Sequence, residues 1–490
     1  MDTAPSRPAA TDDRPADLLR EVVALRDKVV AGAAEARADF KALSGRDDPA
    51  LDNLALYLAF RRLDIRPLQR RLMALGVSSL GRAEGRIEPA FEAVIAALTA
   101  LAGKPLSSLP SEDAFFDGEH RLETATDALF GAPAVHRRGR IMVTLASEAA
   151  GDADHVADLV RAGMDVARIN CAHDDAQAWT AMADHVRHAG RAQDRDIRIL
   201  MDIAGPKIRT LRTHPKKGAK LEEGDRFELR AEDGKKGAWA MVEPAEIVGR
   251  LEPGHRVLYD DGKLGGVVEH ADGDVALVRV THARTGGARL KPEKGLNFPD
   301  TALQLEALTD KDREDLEAVV RCADMIGYSF ITCPEDIDRL EAALEPYGEA
   351  GRRLVLMAKI EQPSAVANLP RLMARAVRNR PLSVMIARGD LAAEIGFERT
   401  AEMQEEMLWL CEAAWVPAVW ATQVLEGMVK DGTPSRGEMT DAAMAARAEC
   451  VMLNKGPRVI DGITALDHLI ARMDAHVFKK TALLRPLHSW

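Results

Sequence analysis

The stretch that decides the fold is LSVMIARGDLAAEIGFERTAEMQEEMLWLCEAAWVPAVWAT, residues 382–422. It opens with an apolar run at Leu382–Ala387 and closes with a second one at Ala418–Thr422. Between them, Ala401–Ala414 repeats apolar residues at the three- and four-residue spacing of an amphipathic helix. A strand, a helix and another strand in this order favour parallel strands with a covering helix.

The same alternation extends in both directions along the chain. Six further runs have the length and composition of strands: Ile141–Leu145, Asp165–Asn170, Ile197–Ile203, Asp324–Phe330, Leu354–Ile360 and Cys450–Leu453. Amphipathic segments of helix length lie between most of them, such as Ala153–Ala162, Lys311–Arg321, Glu335–Leu344 and Arg436–Arg447. Eight strands alternating with helices predict an α/β fold of the closed (β/α)8 TIM-barrel type. A doubly wound open sheet is the alternative, but no GxGxxG or GxxxxGK[ST] loop supports it.

Further domains flank and interrupt this barrel. Residues 16–132 show helical periodicity with little strand signal, which predicts an N-terminal α-helical domain. The barrel is expected in two parts, 138–211 and 297–475, and residues 212–296 between them carry turn signals and alternating runs. We therefore expect a small inserted β-barrel domain that acts as a lid. Residues 1–15 are expected to be a disordered lead, and residues 476–490 a C-terminal tail.

Bulk composition excludes several classes of partner. The net charge of −11 argues against a dedicated nucleic-acid binder and against a basic membrane-surface protein. No apolar run approaches the roughly 20 residues of a membrane span, and the N-terminus lacks the pattern of a signal peptide. The five cysteines are scattered and form no CxxC pair, which is typical of a reducing compartment. A cytoplasmic location is the expectation.

Polar residues stand at the ends of the predicted strands, where barrels of this type collect their function. In strand order they are Arg168 and Asn170, Asp202 with Lys207 and Arg209 in the following turn, Ser329, Lys359 and Glu361, Arg388 and Asp390, and Thr422 with Gln423. A single such charge is equally explained by a solvated loop or a structural ion pair. Their arrival from different strands at one end of the barrel favours a functional site.

The charges divide into two chemical roles. Glu361 and Asp390 offer the oxygen ligands that a hard cation such as Mg2+ prefers, and the lack of a His or Cys cluster disfavours zinc. Four cations surround them: Arg168, Lys207, Arg209 and Lys359. With a divalent metal added, such a site attracts anions and suits phosphoryl transfer, which depends on positioning and charge neutralisation. Gly389 and Asp390 stand where a helix is expected to begin, so backbone N–H groups there could hold a carboxylate.

Several short segments of this sequence resemble the pyruvate kinase family, over about residues 138 to 470. The matching motifs are AGMDVARIN (162–170), MD (201–202), GPKIRT (205–210), YDDG (259–262), KGLNFP (294–299), KIE (359–361), ARGDL (387–391), ATQVLE (421–426) and PSR (434–436). They occur in order and at compatible spacing. The resemblance implies transfer of phosphate from phosphoenolpyruvate to ADP, with Mg2+ or Mn2+ bound by Glu361 and Asp390. It also implies a homo-oligomer, either a dimer or a tetramer.

The resemblance also implies roles for individual residues. The residue matching Lys359 stabilises the transferring phosphoryl group, the one matching Arg168 contacts phosphate, and the one matching Thr422 lies near the enol carbon that gains a proton. Ser329, Gly389 and Asp390 then complete the substrate pocket. The implied nucleotide-binding residues are Asn170, Lys207 and Arg209, and the inserted β domain closes over the nucleotide.

Two departures from the family pattern concern a monovalent cation. Ala172 stands where members commonly have a potassium-binding serine, and Lys207 stands where they often have glutamate. The remaining residues of that cation site would be Asn170, Asp202 and Ile203. Because a lysine ammonium can take the place of the ion electrostatically, the two changes are consistent with each other. They predict activity without added potassium.

Three other departures concern loops and length. Asn454–Pro457 replaces the family's Ser-Gly-Glu-Thr run, which places protonation of the enolate in question, and Ala146-Ser147 replaces Gly-Pro on the expected nucleotide side. The chain stops at Trp490, so neither the family's C-terminal regulatory domain nor activation by sugar phosphates there is expected, and the usual tetramer would lose one interface.

Two other functions compete with this interpretation. A metal-dependent lyase or aldolase acting on pyruvate-like substrates would need the paired carboxylates and an arginine, but it has no use for Lys359 or a lid. A non-catalytic barrel that binds ligand and serves as a regulatory or scaffold partner would explain the altered Asn454–Pro457 loop.

Overall fold

The computed structural model describes residues 13–106, 108–215, 220–260, 262–301, 303 and 305–482. Most of the expected disordered lead, part of the expected tail and Asp261 of the YDDG motif lie outside the described residues. The chain divides into two compact units. One comprises the described residues up to Ala125 together with Trp409–Val416, and the other comprises Thr126–Leu408 and the chain from Pro417 onward.

The strands of the second unit form a barrel and an insertion. The barrel begins with β1 (Arg140–Thr144), β2 (Val166–Asn170) and β3 (Arg198–Asp202). The insertion contributes β4 (Arg209–His214), β5 (Lys220–Leu221), β6 (Arg226–Arg230), β7 (Trp239–Glu243), β8 (Arg256–Tyr259), β9 (Leu264–Ala271), β10 (Val275–Ala283), β11 (Ala288–Arg289) and β12 (Leu296–Asn297). The barrel resumes with β13 (Met325–Tyr328), β14 (Val355–Ile360), β15 (Leu382–Ala387), β16 (Ala418–Ala421) and β17 (Cys450–Leu453), and a short hairpin of β18 (Val477–Phe478) and β19 (Thr481–Ala482) follows.

Helices cover the outside of these barrel strands. In chain order they are α7 (Ala153–Ala162), α8 (Ala176–Ala192), α9 (Asp310–Cys322), α10 (Pro334–Leu344), α11 (Gly348–Arg352), α12 (Pro363–Ala376), α13 (Arg388–Ile395), α14 (Phe397–Ala413), α15 (Glu426–Asp431), α16 (Arg436–Ala445) and α17 (Val459–Asp474). Several begin at a side-chain cap: Thr309 with Asp312 at α9, and Ser435 with Glu438 at α16, form reciprocal capping boxes. These caps fix where the connections from the strand ends turn into helices.

The eight barrel strands close in the order β1-β17-β16-β15-β14-β13-β3-β2, and each adjacent pair is parallel. The predicted closed (β/α)8 barrel is therefore confirmed, and the open sheet is wrong. The strands read as continuous apolar runs because both of their faces are covered. All six residues of β15 and all four of β16 are buried.

The barrel interior explains why the charges collect at one end. A buried apolar cluster fills the part of the interior that lies further from the carboxyl ends of the strands. Its residues include Met142, Leu200, Met357, Met385 and Met452. Leu129 and Phe130, at the end of the helix that precedes β1, belong to the same cluster. Because side chains alternate with period two, the next inward position on each strand lies one layer higher, toward the carboxyl ends.

The insertion is a nearly closed β structure with its own core. Its larger sheet has seven strands in the order β12-β8-β9-β10-β6-β7-β4, and β5 pairs with β11 beside it. Buried apolar residues from opposite sides, including Phe227, Leu229, Val257 and Val278, pack into one cluster. This agrees with the small β domain expected from the turn signals, and it is called the lid below.

The first unit is helical, as expected for the N-terminal region. Its helices are α1 (Arg14–Gly32), α2 (Ala34–Ser44), α3 (Pro49–Arg61), α4 (Arg66–Ala74), α5 (Ile87–Leu101) and the first part of α6 (Glu112–Phe130). Asn53 is buried and satisfies three backbone groups of this unit: it donates to the carbonyls of Glu84 (2.7 Å) and Ala413 (2.8 Å) and accepts from the N–H of Ile87 (2.9 Å). Within the described residues, no helix has both the length and the apolar character needed to cross a membrane.

A close approach within this unit requires a glycine at position 118. The indole N–H of Trp415 donates to the carbonyl of Gly85 at 3.0 Å, and Gly118 of α6 faces both groups. A Cβ atom at this position would lie 2.1 Å from the Gly85 oxygen and 2.4 Å from the indole nitrogen. Real carbon atoms do not approach so closely, so the backbone would have to move.

We predict that Gly118→Ala destabilises the helical unit by about 1–3 kcal/mol, because the added methyl group overlaps a backbone carbonyl and a fixed indole. Thermal and urea unfolding of the full chain measure the change. Gly32→Ala is the matched control, since its Cβ would meet only the Ala59 methyl at 3.5 Å and alanine favours a helix. Equal unfolding midpoints for the two variants would contradict the prediction.

Candidate active site

Asp202 stands at the centre of the charged cluster at the carboxyl end of the barrel. It is 1% exposed. The guanidinium of Arg168, on the neighbouring strand β2, donates to Asp202 Oδ2 from Nε (2.8 Å) and Nη2 (2.5 Å). The third guanidinium nitrogen, Nη1, donates to the hydroxyl of Thr144 at 2.9 Å. Lys359 Nζ lies 3.1 Å from the other oxygen, Oδ1, so the carboxylate is held between two cations.

Lys359 is buried and has three polar partners. Besides Asp202, its ammonium donates to the hydroxyl of Ser329 at 2.6 Å and lies 3.0 Å from Glu361 Oε1. Burial acts to lower the pKa of Lys359, but the charges of Asp202 and Glu361 outweigh it, and the pKa is raised above its ordinary value. The same balance lowers the pKa of Asp202: burial acts to raise it, and Lys359 and Arg168 outweigh burial. Both groups are therefore charged at neutral pH.

Glu361 is the first of the two candidate metal-binding carboxylates. It is 3% exposed, and its Oε2 accepts the backbone N–H of Phe330 at 2.7 Å. Phe330 has a φ of +56°, a left-handed conformation that is costly for a bulky residue and is often found at functional sites. Burial raises the pKa of Glu361, Lys359 lowers it and the neighbouring charge of Asp390 raises it again, with a net shift upward. A cation bound nearby would stabilise the charged form of such a carboxylate.

Asp390 is the second carboxylate and lies in the first turn of α13. Lys207 Nζ is 2.8 Å from its Oδ1 and 3.1 Å from its Oδ2. The sequence had suggested that Lys207 substitutes for a monovalent ion near Asp202. In the structure this ammonium pairs with Asp390, while Asp202 is paired with Arg168 and Lys359. Lys207 thus neutralises Asp390, while Lys359 is shared by Asp202 and Glu361.

Thr422 closes the site from the seventh strand of the barrel. The backbone here is unusual: Thr422, Gln423 and Leu425 have φ values of +66°, +56° and +49°. The Thr422 hydroxyl oxygen is buried and has no hydrogen-bond partner among the described residues. A buried hydroxyl left unpaired costs roughly 1–3 kcal/mol. An orphaned polar atom on a strained turn beside Gly389 is most simply explained by a group that binds there.

Arg388 holds this turn in place, a role that the sequence did not reveal. Its Nε donates to the carbonyl of Ala421 (3.0 Å) and its Nη2 to the carbonyl of Thr422 (2.7 Å). Asp441, from α16, binds the same guanidinium at 2.5 and 2.8 Å, and the guanidinium lies 4.7 Å from the ring centre of Trp420. The ARGDL motif pointed to Arg388, but no local signal connects it to a carboxylate on a helix 53 residues later.

The expected nucleotide side lies toward the lid. Arg209 begins β4 and approaches the carbonyl of Glu293 at 3.5 Å, and the Asn170 side chain accepts the N–H of Ala172 at 3.1 Å.

His173 was missed by the sequence interpretation. Its pKa is lowered, first by burial and then by the positive charges of Lys455 and Arg209. Lys455 belongs to the altered Asn454–Pro457 loop, so this loop adds a cation to the mouth of the site.

The two carboxylates of the site form a partial ligand set for a divalent metal. No group of three or more His, Cys, Asp or Glu side chains that could hold a metal occurs among the described residues. Glu361 and Asp390 do converge, and Mg2+ usually takes one or two protein carboxylates and completes its coordination with water and substrate oxygens. This donor set fits Mg2+ or Mn2+ and does not fit a structural zinc site.

Comparison with known proteins bears on the whole barrel. The family model described as "Pyruvate kinase, barrel domain" matches residues 136–457, which include all eight barrel strands. A pyruvate kinase of Methylorubrum extorquens is 36% identical over 322 residues, covering 65% of this chain and 64% of the relative. A pyruvate kinase of Corynebacterium efficiens is 32% identical over 326 residues, covering 65% of each chain. The chain thus spans slightly less than two thirds of the length of these curated relatives.

Solved structures give the same result. The crystal structure of a pyruvate kinase from Cryptosporidium parvum superimposes with a TM-score of 0.63 at 26% sequence identity, covering 72% of this chain and 73% of the other. The resemblance seen in the short motifs therefore extends over the lid and both parts of the barrel, and the chain belongs to the pyruvate kinase family.

Proposed function

We propose that this protein is a pyruvate kinase in activity as well as in family, transferring the phosphoryl group of phosphoenolpyruvate to ADP to give pyruvate and ATP. The relatives it matches bear that name. The observation that carries the proposal is the position of the Lys359 ammonium. It lies between Asp202 and Glu361 at the barrel end, where Arg168 also converges. A lyase acting on pyruvate-like substrates has no use for such a buried cation.

The transferring phosphoryl group is assigned to Lys359 and Arg168. In the structure both cations neutralise Asp202, so the site is held together before any substrate enters. A phosphoryl group bound beside them would share this positive charge, and groups fixed in advance need not reorganise during the reaction. Ser329 fixes the position of the ammonium, because its hydroxyl accepts from Lys359 and donates to the carbonyl of Ile203 at 2.7 Å.

Glu361 and Asp390 are the residues that would hold Mg2+ or Mn2+. When bound, such an ion neutralises developing negative charge on substrate oxygens. The backbone N–H groups at Gly389 and Asp390, in the first turn of α13, are assigned to the substrate carboxylate. Thr422 is assigned to the face of the substrate that gains the proton, and its unpartnered buried hydroxyl supports this role.

The nucleotide is assigned to Asn170, Lys207 and Arg209, with the lid above them. Potassium independence is proposed with it. Two of the three residues expected to bind the ion are already engaged through the relevant oxygens, since Asn170 Oδ1 accepts from Ala172 and the Ile203 carbonyl accepts from Ser329. Asp202 is neutralised by two side-chain cations. Protein groups thus supply the charge that a monovalent ion would otherwise bring.

Lys359→Met tests the assignment of the phosphoryl-transfer step. We expect kcat to fall by about 100- to 1,000-fold, because the buried ammonium is aimed at the transferring group, while phosphoenolpyruvate binding weakens much less. Steady-state kinetics and direct binding measure the two effects separately.

Lys235→Met, on an exposed stretch of the lid, is the matched control. Proton exchange into pyruvate, which requires no phosphoryl transfer, shows whether the variant site is still formed. Near-normal turnover would reject the assignment, and a wild-type chain that binds substrate without turnover would favour the non-catalytic alternative.

Potassium independence is tested by measuring turnover in potassium chloride and in choline chloride at equal ionic strength. The wild-type rates should agree within about twofold, because protein cations already neutralise Asp202 and Asp390. Lys207→Glu should lower the rate in choline and make it respond to potassium. A strict potassium requirement in the wild type would contradict this part of the proposal while leaving the reaction itself intact.

Arg388→Met tests the support of the Thr422 turn. We expect kcat to fall by about 10- to 100-fold with a smaller change in the KM for phosphoenolpyruvate, because the turn loses two hydrogen bonds and Asp441 loses its partner. Arg388→Lys keeps the charge and should recover part of the rate. Arg399→Met removes an exposed arginine from α14 and serves as the control. An unchanged kcat in Arg388→Met would show that the strained turn does not depend on this residue.

A further inference from the structure

A cavity lies beside the carboxylate centre, at the place where the lid joins the barrel, and it is called the hinge cavity below. Its volume is about 370 Å3, within the range of small-molecule sites. It shares one wall with the site described above, formed by the ion pair of Lys207 and Asp390. Arg168, Lys359 and Thr422 do not line it. The hinge cavity is therefore adjacent to the proposed reaction centre and not part of it.

Two walls of the hinge cavity are the chain segments that enter and leave the lid. Residues 206–208 lead into β4, and residues 296–299 lead from the lid back to the barrel. The two segments are held together, since the N–H of Leu296 donates to the carbonyl of Ile208 at 3.0 Å. The loops after β13 and β14 supply the facing walls. A molecule bound here would contact both lid connections and the barrel at once.

Much of the lining is apolar. Ile208 and Phe298 belong to the buried core of the lid, where they are 5% and 1% exposed, and they also line the hinge cavity. Pro206, Phe330 and Pro363 add apolar surface from three other segments. Such walls favour a ligand with an apolar body, because binding removes apolar surface on both partners from water.

Glu394, on α13, brings a carboxylate without a cationic partner into this lining. Its Oε1 accepts a hydrogen bond from the side-chain amide of Asn297 at 2.9 Å, and Asn297 is itself 8% exposed. Among the described residues, Glu394 forms no ion pair, and its Oε2 accepts no hydrogen bond. The other carboxylate of the lining, Asp390, is already neutralised by Lys207. One negative charge in the hinge cavity is thus left uncompensated.

The charges around Glu394 agree with this. The guanidinium of Arg256 lies in its surroundings, but it donates to Asp300 from Nε (2.9 Å) and Nη2 (2.7 Å). Burial raises the pKa of Glu394, the amide of Asn297 lowers it and the charge of Asp390 raises it again, with a net shift upward. The surroundings of this carboxylate are therefore short of positive charge, which a bound cation would supply.

We infer that the hinge cavity binds a small organic ammonium ion with an apolar body. The ammonium pairs with Glu394, whose carboxylate has already lost part of its hydration on folding, so that binding costs mainly the hydration of the ligand. The apolar body lies against Ile208, Phe298 and Phe330. A metal ion could use the carboxylate, but it would gain nothing from these apolar walls. The inference goes beyond the proposed function, since binding here requires neither Lys359 nor phosphoryl transfer.

Ligand-detected NMR titration of the full chain with 2-phenylethylamine tests this inference. This probe carries an ammonium group on a short apolar body, and 2-phenylethanol has the same body without the charge. We expect the amine to bind with a dissociation constant of about 1 mM, which is typical of so small a ligand. The alcohol and methylammonium should each bind about tenfold more weakly or worse, because each lacks one of the two features that the hinge cavity recognises.

Competition separates the hinge cavity from the reaction centre. Binding of 2-phenylethylamine should persist when phosphoenolpyruvate and Mg2+ are saturating, because the amine pairs with Glu394 and not with the residues assigned to the reaction. Loss of binding under these conditions would show that the cavity belongs to the reaction site and would overturn the inference.

Two variants of equal charge separate a specific ion pair from general attraction. Glu394→Gln removes the charge, while the new side-chain carbonyl can still accept from Asn297. It should weaken binding of 2-phenylethylamine by about tenfold or more and change binding of 2-phenylethanol by less than about twofold. Glu398→Gln removes the same charge from an exposed position at the start of α14, outside the cavity, and should weaken amine binding by less than about twofold.

The comparison of amine with alcohol on the wild-type chain tests the same charge preference without any substitution. Equal weakening in Glu394→Gln and Glu398→Gln would overturn the inference. An amine that binds the wild type no more tightly than the alcohol, or that does not bind at all, would overturn it as well.

Discussion

The buried carboxylate of Asp202, held between Arg168 and Lys359, is the interaction on which the rest of the site depends. A charge taken out of water is costly unless opposite charges and hydrogen bonds replace its hydration. Here the replacement comes from two different strands, and it ties β2, β3 and β14 together at one level of the barrel. The ammonium of Lys359 extends this network of polar contacts to Ser329 and Glu361. Removing one member takes away part of the compensation for its buried partners, so the contributions of these residues are coupled.

The barrel beneath this network serves both stability and function through one geometric rule. The inward positions that lie lower on the strands, such as Leu200 and Met357, form the apolar core. Two residues further along the same strands stand Asp202 and Lys359. Because the strand period is two, a shift of register by one residue would exchange the core with the outer face and destroy the charged layer at the same time. The core therefore sets the height and direction of the functional side chains.

A second constraint acts on the seventh strand, where the backbone turns through left-handed conformations at Thr422 and Gln423. Such conformations persist only when the surroundings determine them. The guanidinium of Arg388 stabilises this turn by donating hydrogen bonds to two successive carbonyls. Asp441, on a helix outside the barrel, fixes the guanidinium in turn. The buried hydroxyl of Thr422 is thus positioned by residues from other parts of the chain.

The sequence by itself determined the alternation of eight strands with helices, the inserted β segment and the polar residues at the strand ends. These follow from local periodicity, since a period of two or of 3.6 reports which face of an element is buried. It could not determine which charges pair. Lys207 was assigned to a monovalent-ion role, yet its ammonium pairs with Asp390, which lies 183 residues away. The bond between Arg388 and Asp441 was equally absent from any local pattern. Closure of the barrel and folding of the lid decide these contacts, because only they bring distant segments within the few ångströms over which ion pairs and hydrogen bonds act.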